Sequence, residues 1–159
     1  WWDIRLSARF ATLEMRIPDI PTRLDDSLSI AALYQCILGM LWRLRRANQR
    51  WRTYPHMLVN ENRWRAQRYG FDQGLVDFGK GTVVPFAQLL DELIELTAPE
   101  AQRLGAEAEI AATRDILGRG TSAHRQLAVF AKARARGADK TEALREVVDW
   151  LIEETVAGL

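Results

Sequence analysis

The first nineteen residues constrain the fold most. Polar and apolar residues alternate through "FATLEMRIPD", Phe10 to Asp19, and through "WWDIRLS" before it. Successive side chains of an extended chain point to opposite sides of a sheet, so Thr12, Glu14 and Arg16 share one face and Leu13, Met15 and Ile17 the other. In the earlier run Trp2, Ile4 and Leu6 fall on one side and Asp3, Arg5 and Ser7 on the other. Joined through Ala8 and Arg9, the two runs predict an antiparallel pair with one greasy face and one face carrying Asp3, Arg5, Thr12, Glu14 and Arg16. Two strands alone are marginal in water. The pair is therefore expected to belong to a sheet whose other strands lie outside the 159 residues, and the chain to be a piece of something longer.

After Pro18 and Pro21 the strand cannot continue, and the pattern turns helical. Asp25 or Asp26 is placed to cap a helix running to about Asn48. Its first part is apolar nearly all round (Leu28, Ile30, Leu33, Ile37, Leu38, Leu41), which predicts burial against the apolar side of the sheet. A second helix is expected over Pro55 to Tyr69 with Gly70 as its stop. "LVDFGKGTVVP" then reads as a small hairpin turning at Gly79-Lys80-Gly81. From Pro85 onward helices dominate. Pro85 suits the first turn of "FAQLLDELIELT", Pro99 that of a short turn, and "EAEIAATRDIL" runs to Gly118. A Thr/Ser cap opens "TSAHRQLAVFAKARARG", which ends at Gly137, and Thr141 is placed to cap the last helix. The expected class is thus α+β and mostly helical, in one domain: strands over 1–19, helices over 25–70, a hairpin over 74–85 and helices over 86–157, with a soft boundary near Phe71 to Val84.

At 48% hydrophobic and 27% charged, the chain reads as globular rather than disordered, and a net charge of +1 does not by itself call for a polyanion. Cys36 stands alone among apolar helix residues, where it reads as a small buried hydrophobe, and such cysteine usage fits a reducing cytoplasm. The longest apolar run, "SIAALYQCILGMLW", is short of a membrane span and broken by Gln35, so no membrane partner is expected.

Charge is nevertheless unevenly placed. Between Arg43 and Arg68 the arginines are Arg43, Arg45, Arg46, Arg50, Arg52, Arg63, Arg65 and Arg68, opposed only by Glu61, and Trp42, Trp51 and Trp64 interleave with them. Guanidinium forks match phosphate oxygens and indoles stack on bases, so this pattern could bind single-stranded nucleic acid. It reads equally as a helix end whose cations complement the dipole and whose tryptophans fill a core. His56 and His124 have no second ligand at metal spacing. "RGTSAHRQ" offers free N–H groups at a helix start with Arg125 nearby, an anion site or a plain cap. Glu14 and Arg16 together could hold a divalent cation and a phosphate oxygen side by side, or form a solvated face paired with Asp3 and Arg5.

Four stretches taken in order, "WWDIRLSARFATLEMRIPD", "ENRWRAQRYG", "RGTSAHRQLAVF" and "VVDWLIEETVAGL", resemble the C-terminal part of bacterial type 2 glutamate–cysteine ligase-like carboxylate–amine ligases. The resemblance implies a share of the glutamine-synthetase-like catalytic fold, in which an antiparallel sheet backed by helices forms a trough for ATP, magnesium and an amino-acid carboxylate. In that family a Glu-x-Arg pair on a strand supplies a magnesium ligand and a phosphate-facing arginine, and the pattern falls on Glu14 and Arg16. The polar face would then look into the trough. Asp3, Arg5 and Arg9 belong to the same segment; Asn62, Arg65, Arg68 and Arg125 are substrate- or nucleotide-binding candidates carried by the resemblance.

The implied reaction transfers a phosphoryl group from ATP to a carboxylate, and an amine then displaces phosphate from the acyl phosphate to give an amide. The family's other metal carboxylates, a Glu-x-Glu strand, are missing: "EAE" at Glu107 to Glu109 lies in a helical stretch. The chain alone is therefore expected to be inactive without the missing N-terminal half of the enzyme. An unpaired sheet edge predicts self-association into a homo-oligomer. The competing expectation is a non-catalytic helical module that binds RNA or a protein through the Arg/Trp surface.

Overall fold

The structure, a computed structural model, describes residues 3–157. Trp2, assigned above to the greasy strand face, lies outside the described residues. The order of elements is β1 (Ile4–Leu6), β2 (Leu13–Met15), α1 (Leu24–Arg46), α2 (His56–Tyr69), β3 (Leu75–Asp77), β4 (Thr82–Val84), α3 (Phe86–Leu104), α4 (Glu107–Arg119), α5 (Ser122–Ala135) and α6 (Lys140–Val156). The protein is α+β and mostly helical, and the described strands form two small antiparallel pairs, β1–β2 and β3–β4.

The alternation that opens the sequence sets the register of the first pair: Ile4 faces Met15, Arg5 faces Glu14 and Leu6 faces Leu13. Polar side chains therefore meet polar ones across the strands, and apolar ones meet apolar. The second pair aligns Leu75 with Val84, Val76 with Val83 and Asp77 with Thr82. Asp77 shapes its turn, because Oδ1 accepts the N–H groups of Gly79 and Lys80 at 2.8 and 3.1 Å. Those N–H groups, led by that of Lys80, hold the Asp77 carboxyl below its ordinary range. Gly74, just before β3, has φ +64°, and a Cβ there would lie 2.2 Å from the Val84 carbonyl oxygen. Only glycine lets the two backbones come this close.

The core sits where α1, α3 and α4 meet. Cys36, Ala101, Ala106 and Ile110 are buried together, with Ala32, Leu33, Ile94 and Leu104 packed around them. Small residues dominate this seam, so the helices approach closely; a Cβ on Gly39 would come within 2.8 Å of Glu100 Cγ. Arg43 Nε donates to the buried Glu100 at 2.7 Å, and this hydrogen bond holds the Glu100 carboxyl below its usual range despite burial. Burial pushes the Cys36 thiol up, which keeps it a neutral hydrophobe. Helices α5 and α6 pack against each other as a second helical unit.

Several expectations change. Helix α1 packs on α3 and α4 rather than on the β1–β2 sheet, and Ile4, Leu6, Leu13 and Ile17 stay exposed. Its apolar side chains were free to choose either surface, and the small-residue seam of α3 and α4 permits the closer fit. By length and composition alone α1 is apolar enough to cross a membrane, as the core helix of a soluble protein also can be, and its Cys36 is buried in the core with Ala101 and Ile110. Arg23, not an aspartate, stands at its N-cap, while Asp25 and Asp26 occupy the first turn, where the helix dipole favours acids. Pro99 lies inside α3 instead of opening a new turn. Burial of Glu100 and Ala101 just beyond it carries the helix through the missing hydrogen bond. Gly118 is within α4, and the chain leaves that helix at Gly120, φ +82°. Asp139 rather than Thr141 caps α6: it accepts from Glu142 N–H at 2.9 Å while Glu142 Oε2 accepts from Asp139 N–H at 2.8 Å.

Candidate functional site

The polar face of β1–β2 is built by register alone. Arg5 stands opposite Glu14, and its Nε and Nη2 reach Glu14 Oε2 at 2.9 and 2.5 Å. Arg16, two residues along the same face, brings Nη1 to 3.6 Å from Glu14 Oε1. One carboxylate thus stands between two guanidiniums, on a surface open enough that the Arg5 and Glu14 side chains are 53% and 43% exposed. At that exposure the pair contributes little stability. Its value lies in holding cationic donors side by side without burying them.

Asp3 extends the face. Its Oδ2 accepts from Arg63 Nη1 of α2 at 2.9 Å, which ties the strand pair to the helix. Arg9 lies in the exposed turn between the strands, with its guanidinium 6.0 Å from the Phe10 ring centroid. Asn62 and Arg65 are used differently. The Asn62 amide both donates to the Val76 carbonyl at 2.9 Å and accepts the Val76 N–H at 2.7 Å, as a strand neighbour would. Arg65 donates to the carbonyls of Gly74 and Gln73 at 3.2 and 2.9 Å. Together they clamp the β3 hairpin to α2.

Arg68 lines an open cleft of about 960 Å³. The segment Ile17 to Pro21, the end of α2, Asp72 and the start of α5 form its walls. Ile17 follows Arg16 directly, and Arg63 both lines the cleft and holds Asp3, so cleft and strand face adjoin. At the start of α5, Thr121 takes the N-cap position. His124 Nδ1 accepts the Thr121 N–H at 3.3 Å, and Ser122 Oγ lies 2.5 Å from Thr22 Oγ1. Capping therefore accounts for these letters. Arg125 is directed elsewhere: it stacks 4.9 Å over the Trp150 ring and pairs with Glu154, which Arg23 also reaches at 3.2 Å. Burial raises the Glu154 carboxyl, but the hydrogen bonds from Arg125 and Arg23 more than offset it, and its pKa lies below the ordinary value.

The structure thus brings Asp3, Arg5, Glu14 and Arg16 together, sets Arg68 in the neighbouring cleft, and places Asn62, Arg65 and Arg125 in internal contacts. Sequence reasoning missed Arg63 as the partner of Asp3, Glu154 as the anchor of Arg23 and Arg125, and the Asp72–His124 pair. None of these has a local signal, since the partners are 29 to 131 residues apart. The tryptophan expectation also shifts: Trp42, Trp51 and Trp64 are 65%, 40% and 50% exposed and do not fill the core.

The family model described as glutamate-cysteine ligase family 2 matches residues 1–149. Three similar proteins all carry the name "Putative glutamate--cysteine ligase 2". That of Rhodospirillum rubrum is 65% identical over 159 residues, covering 100% of this chain and 41% of the relative. That of Jannaschia sp. is 53% identical over 154 residues, covering 97% of this chain and 40% of the relative. That of Solibacter usitatus is 45% identical over 159 residues, covering 100% and 39%. The chain therefore spans about two fifths of the length of these relatives. With nearly its whole length matched, the chain belongs to glutamate–cysteine ligase family 2.

Proposed function

We propose that the chain carries part of the catalytic apparatus of an ATP-dependent carboxylate–amine ligase, and that the β1–β2 polar face is one wall of a nucleotide-holding trough of the glutamine-synthetase type. The observation that carries this reading is the Arg5–Glu14–Arg16 row, in which two guanidiniums on one strand face share the Glu14 carboxylate. Phosphoryl transfer needs cationic donors aimed where charge spreads over equatorial oxygens, and catalysis of that step is mostly positioning and electrostatics. Arg16 would steady the transferring group or the acyl phosphate, and Arg5 would exchange its Glu14 contact for a phosphate oxygen. Asp3, through Arg63, keeps the face in place against α2. No protein nucleophile is required, in keeping with the buried, neutral Cys36.

The family resemblance implies magnesium along with ATP. Magnesium takes oxygen ligands, usually one or two carboxylates completed by phosphates and water. Glu14 offers one, and no group of three or more His, Cys, Asp or Glu side chains among the described residues could hold a metal ion. The residues present do not by themselves make up a magnesium site. The remaining carboxylates would come from the part of the enzyme that the relatives have beyond this segment. On this reading the 159-residue chain alone is inactive, acts on small amino-acid substrates only when completed, and works in the cytoplasm.

The test is ADP release and amide formation from glutamate and an amine. The chain is assayed alone and fused to the remaining part of the Rhodospirillum rubrum relative. The reading expects activity only from the fusion, with loss on Arg16→Ala. Amide formation by the chain alone would overturn the claim of inactivity, and a fusion indifferent to Arg16→Ala would overturn the site.

One observation favours a second reading. Trp42 is 65% exposed and lies one turn from Arg45 and Arg46, with Arg50 and Trp51 following. Exposed indoles beside unburied guanidiniums suit stacking on single-stranded RNA. Its signature would be affinity that falls steeply with salt.

A further inference from the structure

Helix α6 has two faces, and the fold uses only one of them. Ala143, Val147 and Glu154 are buried, and the Trp150 ring lies beneath the Arg125 guanidinium of α5. The opposite face carries Leu144, Val148, Ile152 and Val156, which are 49%, 54%, 63% and 59% exposed. Residues four apart stand one above the other on a helix, so these side chains form one continuous apolar ridge. No element among the described residues covers it.

The charges beside the ridge are sorted by sign along the helix. Lys140 and Arg145 belong to its first half, Asp149 and Glu153 to its second. All four are exposed, and none takes part in an ion pair among the described residues. Arg145, Asp149 and Glu153 each follow a ridge residue by one position, so they line one edge of it. An acid in the last turn of a helix opposes the dipole, and the last turn of α6 holds no base. Glu154 is compensated there by Arg125 and Arg23. Glu153 has no such partner among the described residues.

What covers the ridge must be apolar along its middle and carry the opposite order of charge along its edge. A second α6 laid antiparallel meets both conditions. Ridge packs on ridge, Arg145 of one copy comes to the Asp149–Glu153 end of the other, and the two-fold axis repeats the contact. A parallel pair would set like charges side by side and align the two dipoles. A partner of another sequence would have to supply the same order of charge independently, whereas the helix already complements itself. We infer that α6 pairs antiparallel with α6 of a second copy of this chain, through Leu144, Val148, Ile152 and Val156, with Arg145 of each copy against the acids of the other. One helix pair is small beside the roughly 800 Å² per partner of a standard interface, so the dimer is weak and reversible. The pairing needs neither nucleotide nor metal and is independent of the ligase reading. It also differs from edge-to-edge association of β1–β2, the other route open to this chain.

Sedimentation equilibrium of the 159-residue chain over a micromolar-to-millimolar series reads the association. The parent is expected to pass reversibly from monomer to dimer. Val148→Ser combined with Ile152→Ser should leave it monomeric. Leu6→Ser combined with Leu13→Ser, on the exposed apolar face of the strand pair, should change nothing. Arg145→Glu alone should weaken the dimer about fivefold, as should Glu153→Arg alone, because an exposed ion pair contributes little but each is made twice. Both reversals in one chain should restore the parental affinity. Residues 145 and 153 stand about 12 Å apart along the helix axis, too far to meet within one helix, so recovery reports contact between copies. Circular dichroism confirms that every variant keeps its helix content. The pairing is overturned if the parent stays monomeric throughout, if the ridge variant associates like the parent, or if the combined reversal is no tighter than the single ones.

Discussion

Arg5 and Glu14 face each other across the first strand pair, and both donors of the Arg5 fork converge on one oxygen, Glu14 Oε2. Glu14 is therefore a counter-ion shared by two arginines, Arg5 and Arg16, and on the proposed function a phosphate would compete with it for them. Glu14→Gln is expected to tighten binding of metal-free ATP severalfold, by removing a competing anion, and calorimetry without magnesium reads it. Metal-free affinity that falls in the variant contradicts the counter-ion role.

Stability should barely register that change at the face. With both side chains of the pair largely exposed, Arg5→Ala is expected to cost no more than about 1 kcal/mol. The buried ionic anchor behaves differently. Glu154, 8% exposed, accepts from both Arg23 and Arg125. Glu154→Gln is expected to lower stability by about 2 kcal/mol, or about 4–8 °C in Tm.

The same carboxyl sets an acid limit. Its pKa in the fold lies below the ordinary value, as does that of Glu100, so each contributes stability that is fully present above about pH 4.3 and is lost as pH falls through the lower folded value. Thermal melts should decline on acidification below the ordinary carboxylate range. Glu154→Gln, which cannot ionise, should show a shallower decline at its lower starting Tm. A parallel decline in both proteins would remove Glu154 from the account.

Two glycines separate conformational strain from collision. Gly74 and Gly81 both have positive φ, +64° and +69°, but a Cβ at Gly81 meets nothing within 4 Å while one at Gly74 strikes the Val84 backbone. Gly81→Ala is expected to cost about 1 kcal/mol and Gly74→Ala clearly more, with loss of protection at the β3–β4 amides in hydrogen exchange. Equal costs would mean that the close approach of residues 74 and 84 does not constrain the hairpin.

What the sequence made legible follows from which signals are local. Period-two alternation marks the first strand pair, two short apolar runs around Gly79-Lys80-Gly81 mark the second, and Gly70 and Gly137 end helices where their positive φ occurs. Cap positions slipped because several acids or hydroxyls competed within one turn, as Asp139 and Thr141 did before α6. Pro99 was misread because tertiary burial overrode a local breaker. The packing of α1 was not legible, since a helix apolar on most sides does not name its partner. Within the candidate site, the row of Arg5, Glu14 and Arg16 followed from alternation. The Asp3–Arg63 and Asp72–His124 contacts did not, because each joins elements that only the folded chain brings together.

The most direct measurement is a titration of the labelled chain with ADP and magnesium, following the guanidinium Nε–H and strand amide signals. The account predicts that Arg5, Arg16 and the β1–β2 amides move together and that Arg16→Ala abolishes the response. Shifts confined to Trp42, Arg45 and Arg46, with the strand face silent, would contradict it.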